Sequence, residues 1–126
     1  MNDLFIVALC AWRENRHGQT PGMQSVCNSI VNRMKTRRQT AYQVVTAPEQ
    51  FSSITTAGDP QLGLYPVPTD AQWLEAQILA GEALQGTLED ITGGATSYYA
   101  ISMAEPPWWA SSMTETVIVA GQQFLK

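Results

Sequence analysis

The pattern of apolar and polar positions predicts a buried helix at the amino end of the chain. Asp3 is a good N-cap residue, and nearly every residue from Leu4 to Trp12 is apolar. Such a run suits a helix that the fold covers on most sides. Charged residues follow directly, because Arg13, Glu14 and Arg16 lie at its exit.

A second helix is predicted after a polar turn over residues 15–20. Thr20 would be its N-cap and Pro21 its first helical residue, a position that proline favours. Apolar residues at spacings of three and four define one face of this helix, namely Met23, Val26, Cys27, Ile30, Val31 and Met34. Its carboxyl end is rich in cations, which interact favourably with the helix dipole: Arg33, Lys35, Arg37 and Arg38.

The middle of the chain contains two further helical signals separated by a long loop. A short helical piece spans residues 41–46, and a segment rich in Gly and Pro runs from Thr55 to Pro68. The next helix begins at the capping sequence Thr69-Asp70-Ala71-Gln72 and stops at Gly86. A loop as long as 55–68 inside a small domain is often functional.

The carboxyl-terminal third has strand character. Residues 95–103 are predicted to be extended after the turn Thr92-Gly93-Gly94, and Thr116–Phe124 is predicted to be one strand. Between them, Pro106-Pro107-Trp108-Trp109 disfavours a helix and places two aromatic side chains together, either as a core plug or as a platform for a sugar. The predicted fold class is therefore α+β, mainly helical, with a small β region toward the carboxyl end.

Length and composition bound the kind of protein. The 126 residues suit a single domain over 1–126, and 44% hydrophobic with 14% charged residues is typical of a globular chain. No apolar run reaches the roughly 18 residues of a membrane span. The Leu4–Trp12 run lacks basic residues before it and a small-residue cleavage site after it, so we expect synthesis in the cytoplasm without a Sec signal peptide.

The net charge is −4, and the charged residues are distributed unevenly along the chain. Six of the seven Lys and Arg residues lie between Arg13 and Arg38, whereas residues 39–125 contain nine acids and neither Lys nor Arg. The basic end could meet an anionic polymer, either nucleic acid or the peptide-bearing bacterial cell wall, or it could be a solvated helix end. Nucleic acid is the weaker candidate, because the acidic remainder would repel phosphate.

Glu14 is the candidate catalytic residue. Apart from Asp3 it is the only carboxylate in the first 48 residues, and it follows a helix whose apolar surface disfavours the charged form of an acid. An acid kept protonated in this way can donate a proton to a leaving oxygen. Arg13 and Arg16 favour the charged form instead, and a salt-bridged residue at a helix end is the plainer interpretation.

The cysteines and the single histidine offer other chemistry. Cys10 and Cys27 lie on predicted helices, so two buried thiols are expected, with a disulfide only if the protein acts outside the cytoplasm. A cysteine peptidase would need His17 beside one of them. A single histidine disfavours a zinc site, and we expect neither a metal nor a cofactor.

Five blocks of sequence occur in a recognisable order. They are Ala11–Arg16 with Gly22–Met34, Gln50-Phe51-Ser52, Thr92–Thr96, Pro107-Trp108 and Gly121–Phe124. In this order they resemble the SleB-type cell wall hydrolases, which are spore-cortex-lytic enzymes and related phage lysins. The chain departs from the family pattern at Arg13, where the family has glycine, and at three positions where the family commonly has histidine: Ser97, Tyr99 and Gln122.

The resemblance implies a lysozyme-like domain that cuts the MurNAc-GlcNAc β-1,4 bond of the peptidoglycan glycan strand, with the family's glutamate at Glu14. It also implies that the segments 50–52 and 96–99 border the cleft, and Trp108 or Trp109 could stack on a sugar ring. The candidate substrate-binding residues are Gln50, Ser52, Thr96, Tyr98, Tyr99 and Trp108.

Two chemical outcomes stay open. A hydrolytic muramidase needs a second carboxylate, for which Glu49, Asp59 and Glu105 are candidates, although each also suits a surface or turn position. A lytic transglycosylase needs only Glu14, first as acid and then as base, because the N-acetyl group and the 6-hydroxyl of the sugar complete the reaction. The transglycosylase, which leaves a 1,6-anhydro end, is favoured because only one acid lies in a recognisable motif.

A non-enzymatic alternative is a phage structural or wall-binding module that uses the basic end and the aromatic residues without chemistry. The small size and the lack of a Sec signal favour a monomeric phage lysin, released through a holin to act on the cell wall in the periplasm. Its expected partner is the peptidoglycan glycan strand, with no nucleic acid and no membrane span.

Overall fold

The apolar amino-terminal run forms the central helix of the fold. In the computed structural model, which describes residues 2–48 and 50–126, helix α1 spans Asp3–Asn15, and residues 6–13 are all buried. Its N-cap is Asn2, whose side chain accepts a hydrogen bond from the Phe5 amide at 2.8 Å. The predicted cap at Asp3 is therefore wrong by one residue. Asp3 lies in the first turn, where a carboxylate interacts favourably with the helix dipole.

Helix α2 spans Gln19–Arg37 and follows a 3₁₀ turn at Arg16–Gly18. The predicted start at Thr20 is wrong because the Asn15 side chain accepts the Gly18 amide at 3.1 Å, and the chain enters the helix directly from this turn. The proline at position 21 still lies in the first helical turn, where its missing amide proton costs no hydrogen bond.

Three further helices complete the helical part: α3 at Ala41–Thr46, α4 at Ser52–Thr55 and α5 at Ala71–Gln85. Thr40 and Gln43 form a capping box at the start of α3, and Asp70 caps α5 by accepting two amides. The long loop between α4 and α5 covers most of the segment in which sequence predicted it. The core lies where α1 packs against α2, α3 and α5.

The carboxyl-terminal part forms a three-stranded antiparallel sheet in the order β1-β3-β2, with β1 at Ser97–Ala100, β2 at Glu115–Val119 and β3 at Gln122–Leu125. The single strand predicted over 116–124 is wrong, because Ala120 and Gly121 have φ of 46° and 79° and reverse the chain between β2 and β3. Positive φ at both central residues is the geometry of a tight hairpin turn.

A 3₁₀ helix at Trp108–Ser112 lies between β1 and β2. The prediction that the paired prolines disfavour a helix here is wrong, because both prolines precede it and Pro107 is its N-cap. The fold class is confirmed as α+β, mainly helical, with a small β region toward the carboxyl end.

Three amide side chains on α2 attach the segment before β1 to the helical part. Gln24, Asn28 and Asn32 are four residues apart and therefore lie on one face of the helix. Gln24 and Asn28 donate to the Glu89 carbonyl at 2.9 and 3.0 Å, and Asn32 donates to the Ala95 carbonyl at 2.9 Å. This amide stripe, as we call these three residues, determines where β1 begins.

Asp90 stabilises the same segment from within. Its carboxylate accepts hydrogen bonds from the Thr92 amide and hydroxyl at 2.7 and 2.6 Å, and from the Gly94 amide and the Asn32 side chain at 3.0 Å. Partial burial raises the pKa of Asp90, but the hydrogen bonds from Thr92, Asn32 and Gly94 outweigh that effect and hold the pKa below its ordinary value. The Thr-Gly-Gly-Ala-Thr block is thus a turn built around a carboxylate.

We expect Asp90→Asn to destabilise the protein at neutral pH and to weaken the dependence of its stability on acid. A carboxyl group whose pKa is lower in the folded state contributes stability above its unfolded pKa, and that contribution is lost as the pH falls through the lowered folded value. The parent should therefore lose stability below about pH 4, and the variant should lose less.

Urea unfolding near pH 7 and near pH 3 measures this difference. Glu89→Gln is the matched control, because Glu89 joins the network through its backbone carbonyl. Equal pH dependence in Asp90→Asn and the parent would show that the Asp90 hydrogen bonds do not stabilise the fold.

Candidate active site

Glu14 lies in the last turn of α1, where this helix leaves the core. The residues before it are buried, whereas its own side chain is partly exposed. Its Oε1 accepts a hydrogen bond from the Tyr98 hydroxyl at 2.8 Å. A residue of the sheet thus holds one of the two oxygens of the Glu14 carboxyl group by a hydrogen bond.

Tyr98 reaches Glu14 because β1 is held against β3. In the sheet register Tyr98 pairs with Phe124, and their ring centroids are 5.1 Å apart at an angle of 41°. Burial raises the pKa of Tyr98 well above its ordinary value, and the nearby charge of Glu14 raises it further. The phenol thus keeps its proton at neutral pH and acts as a hydrogen-bond donor to the carboxylate.

The two arginines that flank Glu14 in sequence are bound by the loop between α4 and α5. Arg13 donates to two backbone carbonyls at 2.9 and 3.0 Å, and Arg16 donates to a glutamine side chain at 2.6 Å while it stacks over the Trp12 ring at 4.0 Å. The partners are the Leu64 carbonyl and the Gln61 side chain of the loop, together with the Ser53 carbonyl of α4. Both guanidinium groups fasten this loop to α1, and Glu14 is instead bound by Tyr98.

Arg33 is a site residue that sequence analysis missed, because it was grouped with the solvated cations of the α2 end. Its side chain is only 5% exposed, its Nε donates to the Thr96 carbonyl, and its guanidinium lies 4.6 Å from the Phe51 ring centroid. Burial lowers the pKa of Arg33. The sequence did contain a signal of this burial. Arg33 lies seven residues after Val26 and three after Ile30, so it continues the apolar face of α2.

Two adjoining cavities form a groove beside Glu14. The larger, here called the Glu14 cleft, has a volume of about 530 Å³ and is lined by Glu14, Arg33, Gln50, Ser52, Tyr98, Tyr99, Ala100, Met103, Pro107, Trp109 and Gln122. The other, here called the Arg37 chamber, has a volume of about 330 Å³ and is lined by Arg33, Arg37, Gln50, Thr96, Ser97, Tyr98, Trp109, Ser112 and Met113. They share four lining residues and therefore lie side by side.

Most of the candidate substrate-binding residues line this groove. Gln50, Ser52 and Tyr99 line the Glu14 cleft, and Thr96 lines the Arg37 chamber. Tyr98 lines both cavities and binds Glu14. These residues come from the start of α4 and from β1, which face each other across Glu14.

The paired tryptophans have different positions. Trp108 is 89% exposed and is absent from the lining of both cavities, whereas Trp109 lines both. Trp109 meets Tyr99 edge to face, with ring centroids 6.3 Å apart. Trp109 is thus the tryptophan that a molecule in the groove would contact.

The three positions at which the chain lacks the family's histidines also face the groove. Tyr99 and Gln122 line the Glu14 cleft, and Ser97 lines the Arg37 chamber. Hydroxyl and amide groups thus lie at the three positions where the resemblance implies histidine.

Glu14 is the only carboxylate among the described residues that line the groove. Of the other acids considered from sequence, Asp59 accepts the Gln61 amide at 2.8 Å within the loop, and Glu105 is exposed. Neither lines the groove, and Glu49 lies outside the described residues.

The cysteines are unsuited to nucleophilic chemistry. Cys10 and Cys27 are buried free thiols, and burial raises the pKa of Cys27 to about 12 and that of Cys10 well above its ordinary value. His17, on the 3₁₀ turn, is exposed. A buried protonated thiol is a poor nucleophile.

Residues 2–48 and 50–126 include no group of three or more His, Cys, Asp and Glu side chains that could hold a metal ion. No helix of this part of the chain is both long enough and apolar enough to span a bilayer.

The fold and the site define a lysozyme-like domain, in which an acid at the end of a buried helix faces a groove closed by a small antiparallel sheet. Residues 18–125 match the family model described as Cell Wall Hydrolase, and the chain belongs to this family. The matched segment begins after Glu14, so the assignment of Glu14 depends on the geometry of the site.

Two solved structures share the fold over nearly the whole chain. The catalytic domain of the germination-specific lytic transglycosylase SleB from Bacillus anthracis has a TM-score of 0.76 and 23% identity, over 100% of this chain and 95% of that one. The catalytic domain of the Bacillus cereus SleB protein has the same TM-score and identity, over 98% and 89% of the two chains. No curated protein sequence is similar enough to count as a match.

We expect Tyr98→Phe to lower the rate of cell wall cleavage about ten- to a hundredfold, because it removes a hydrogen bond to a charged group and keeps the ring contact with Phe124. Turbidity loss of purified cell walls measures the rate, and thermal unfolding verifies the fold. Tyr42→Phe is the matched control, since it removes an exposed hydroxyl on α3. A full rate in Tyr98→Phe would leave Tyr98 with a packing role alone.

Proposed function

We propose that the protein degrades peptidoglycan as a lytic transglycosylase that cuts the MurNAc-GlcNAc β-1,4 bond, with Glu14 as general acid and then general base. This proposal rests on the position of Glu14. It is the only carboxylate among the described residues that line the groove, and it accepts a hydrogen bond from Tyr98. Membership of the cell wall hydrolase family supports the substrate class. The shared fold with a domain named as a lytic transglycosylase supports the reaction type.

In the first step Glu14 gives its proton to the oxygen that leaves with GlcNAc, and the bond between that oxygen and C1 of MurNAc breaks. Positive charge develops on the sugar ring, and the N-acetyl group of MurNAc stabilises it. Glu14 becomes a carboxylate, whose Oε1 accepts the Tyr98 hydrogen bond. A charge-assisted hydrogen bond is stronger than a neutral one, so Tyr98 stabilises the product of proton transfer more than the starting acid.

In the second step the 6-hydroxyl of the same MurNAc forms a bond to C1, and its proton passes to the Glu14 carboxylate. The sugar closes into the 1,6-anhydro form, and Glu14 returns to its starting state. An acid that serves first as donor and then as acceptor completes the cycle alone. The step needs no second carboxylate, which agrees with the lining of the groove.

Side chains from the helical part and the sheet would hold the glycan strand across Glu14. Gln50 and Ser52 lie on one wall and Tyr99 on the other, and each offers a hydrogen bond to a sugar hydroxyl or acetamide. Trp109 offers an indole face for stacking. Trp108, which is exposed beside it, remains a predicted contact for a strand that extends beyond the groove.

Glu14→Gln should abolish wall cleavage and leave the fold intact, because the amide has nearly the same shape but cannot donate an acidic proton. We expect a loss of about 10² to 10⁴ in rate, the usual contribution of general acid-base catalysis. Glu105→Gln is the matched control, since it removes a carboxylate that lies outside the groove lining. Cleavage by Glu14→Gln at the parental rate would remove Glu14 from the mechanism.

The products should end in 1,6-anhydro-MurNAc. An anhydro end is one water lighter than a hydrolytic end and is not reduced by borohydride, so mass spectra before and after reduction distinguish the two. Predominantly reducible muramic ends would mean hydrolysis by an activated water. Glu49→Gln, Asp59→Asn and Glu105→Gln would then identify the second carboxylate that a hydrolytic muramidase requires. Wall binding without any cleavage would favour a non-catalytic module.

A further inference from the structure

The Arg37 chamber concentrates positive charge in a protein of net charge −4. Arg33 and Arg37 both line it, and its described lining residues include no acid. They are four residues apart on α2 and therefore lie on the same face of that helix. The remaining polar lining consists of hydroxyl and amide side chains, which add hydrogen-bonding capacity without charge.

The protein leaves part of the Arg33 guanidinium without a hydrogen bond. Arg33 is buried, and its NH1 has no hydrogen-bond partner among the described residues. Burial lowers the pKa of Arg33, and the positive charge of Arg37 lowers it further, so the two cations lie close enough to repel each other. Arg37 is exposed at the outer side of the chamber. An anion in the chamber would relieve this repulsion.

A carboxylate is the anion that this chamber fits best. Guanidinium groups bind carboxylates through paired hydrogen bonds, and a volume of about 330 Å³ exceeds what a single water or small ion needs. A neutral sugar could accept hydrogen bonds from the two arginines but would leave their charges unpaired. The chamber also adjoins the Glu14 cleft through Tyr98 and Trp109, so a bound carboxylate would belong to the molecule that is being cut.

In peptidoglycan, the lactyl group of muramic acid is joined by an amide bond to a peptide stem that carries free carboxylates, whereas N-acetylglucosamine carries no stem. We propose that the Arg37 chamber binds a carboxylate of the peptide stem and thereby makes the enzyme prefer strands with free stem carboxylates to strands whose stems carry none. This inference depends on the proposed function, because it assigns the substrate of the same groove.

The test compares cleavage of peptide-bearing strands with cleavage of the same strands after their stem carboxylates have been converted to neutral amides. The parent should prefer the strands with free carboxylates, and Arg37→Gln should lower kcat/KM on them about three- to tenfold, so that the preference falls by that factor. Lys35→Gln is the matched control, since it removes a cation from the same helix that lines another cavity. The inference is overturned if Arg37→Gln lowers both rates equally or if Lys35→Gln has the same effect.

A binding measurement separates this inference from the proposed function. Glu14→Gln protein should bind a soluble disaccharide-tetrapeptide more tightly than the same molecule with its stem carboxylates amidated, and adding Arg37→Gln should remove the difference. Equal affinities for the two ligands would overturn the inference. A parent that binds in this way but cuts neither strand would refute the proposed chemistry and leave the chamber's ligand established.

Discussion

The attachment of the sheet to α2 is the constraint on which the site depends. Glu14 is fixed by the helical core, but the hydroxyl that binds it comes from β1. The amide stripe and Arg33 hold the backbone just before β1 through the carbonyls of Glu89, Ala95 and Thr96. Because these bonds are made by side chains of one helix, they set the distance between the two walls of the groove.

The loop between α4 and α5 solves an electrostatic conflict at the same place. Two arginines close to a carboxylate in sequence would otherwise compete for its charge. The Leu64 carbonyl and the Gln61 side chain of the loop accept hydrogen bonds from Arg13 and Arg16, whereas Glu14 accepts one from Tyr98.

Much of this architecture could be predicted from the sequence, for identifiable reasons. The apolar period of α2, the capping residues of α3 and α5 and the isolated carboxylate at the end of a buried run are local signals, and local chemistry determines them. The hairpin between β2 and β3 was missed because Ala120 lacks the turn preference of Asn or Asp, and a run of β-branched residues precedes it.

The positions of Arg33 and Trp109 could not be deduced from local sequence signals, because each depends on contacts between distant parts of the chain. Arg33 resembles its exposed neighbours in sequence, and only the approach of Thr96 and Phe51 shows that it is buried. The sequence does not distinguish Trp108 from Trp109. The 3₁₀ helix that begins at these residues exposes Trp108 to solvent and places Trp109 in the groove.

The hydrogen bond between Glu14 and Tyr98 joins residues 84 positions apart, and β1 is held in place by β3. During synthesis the acid is therefore made long before its partner, and the partner has no stable position until the last strand of the sheet has been translated. A growing chain would carry Glu14 for most of its synthesis without the hydroxyl that binds it. The topology thus delays assembly of the groove until the domain is whole.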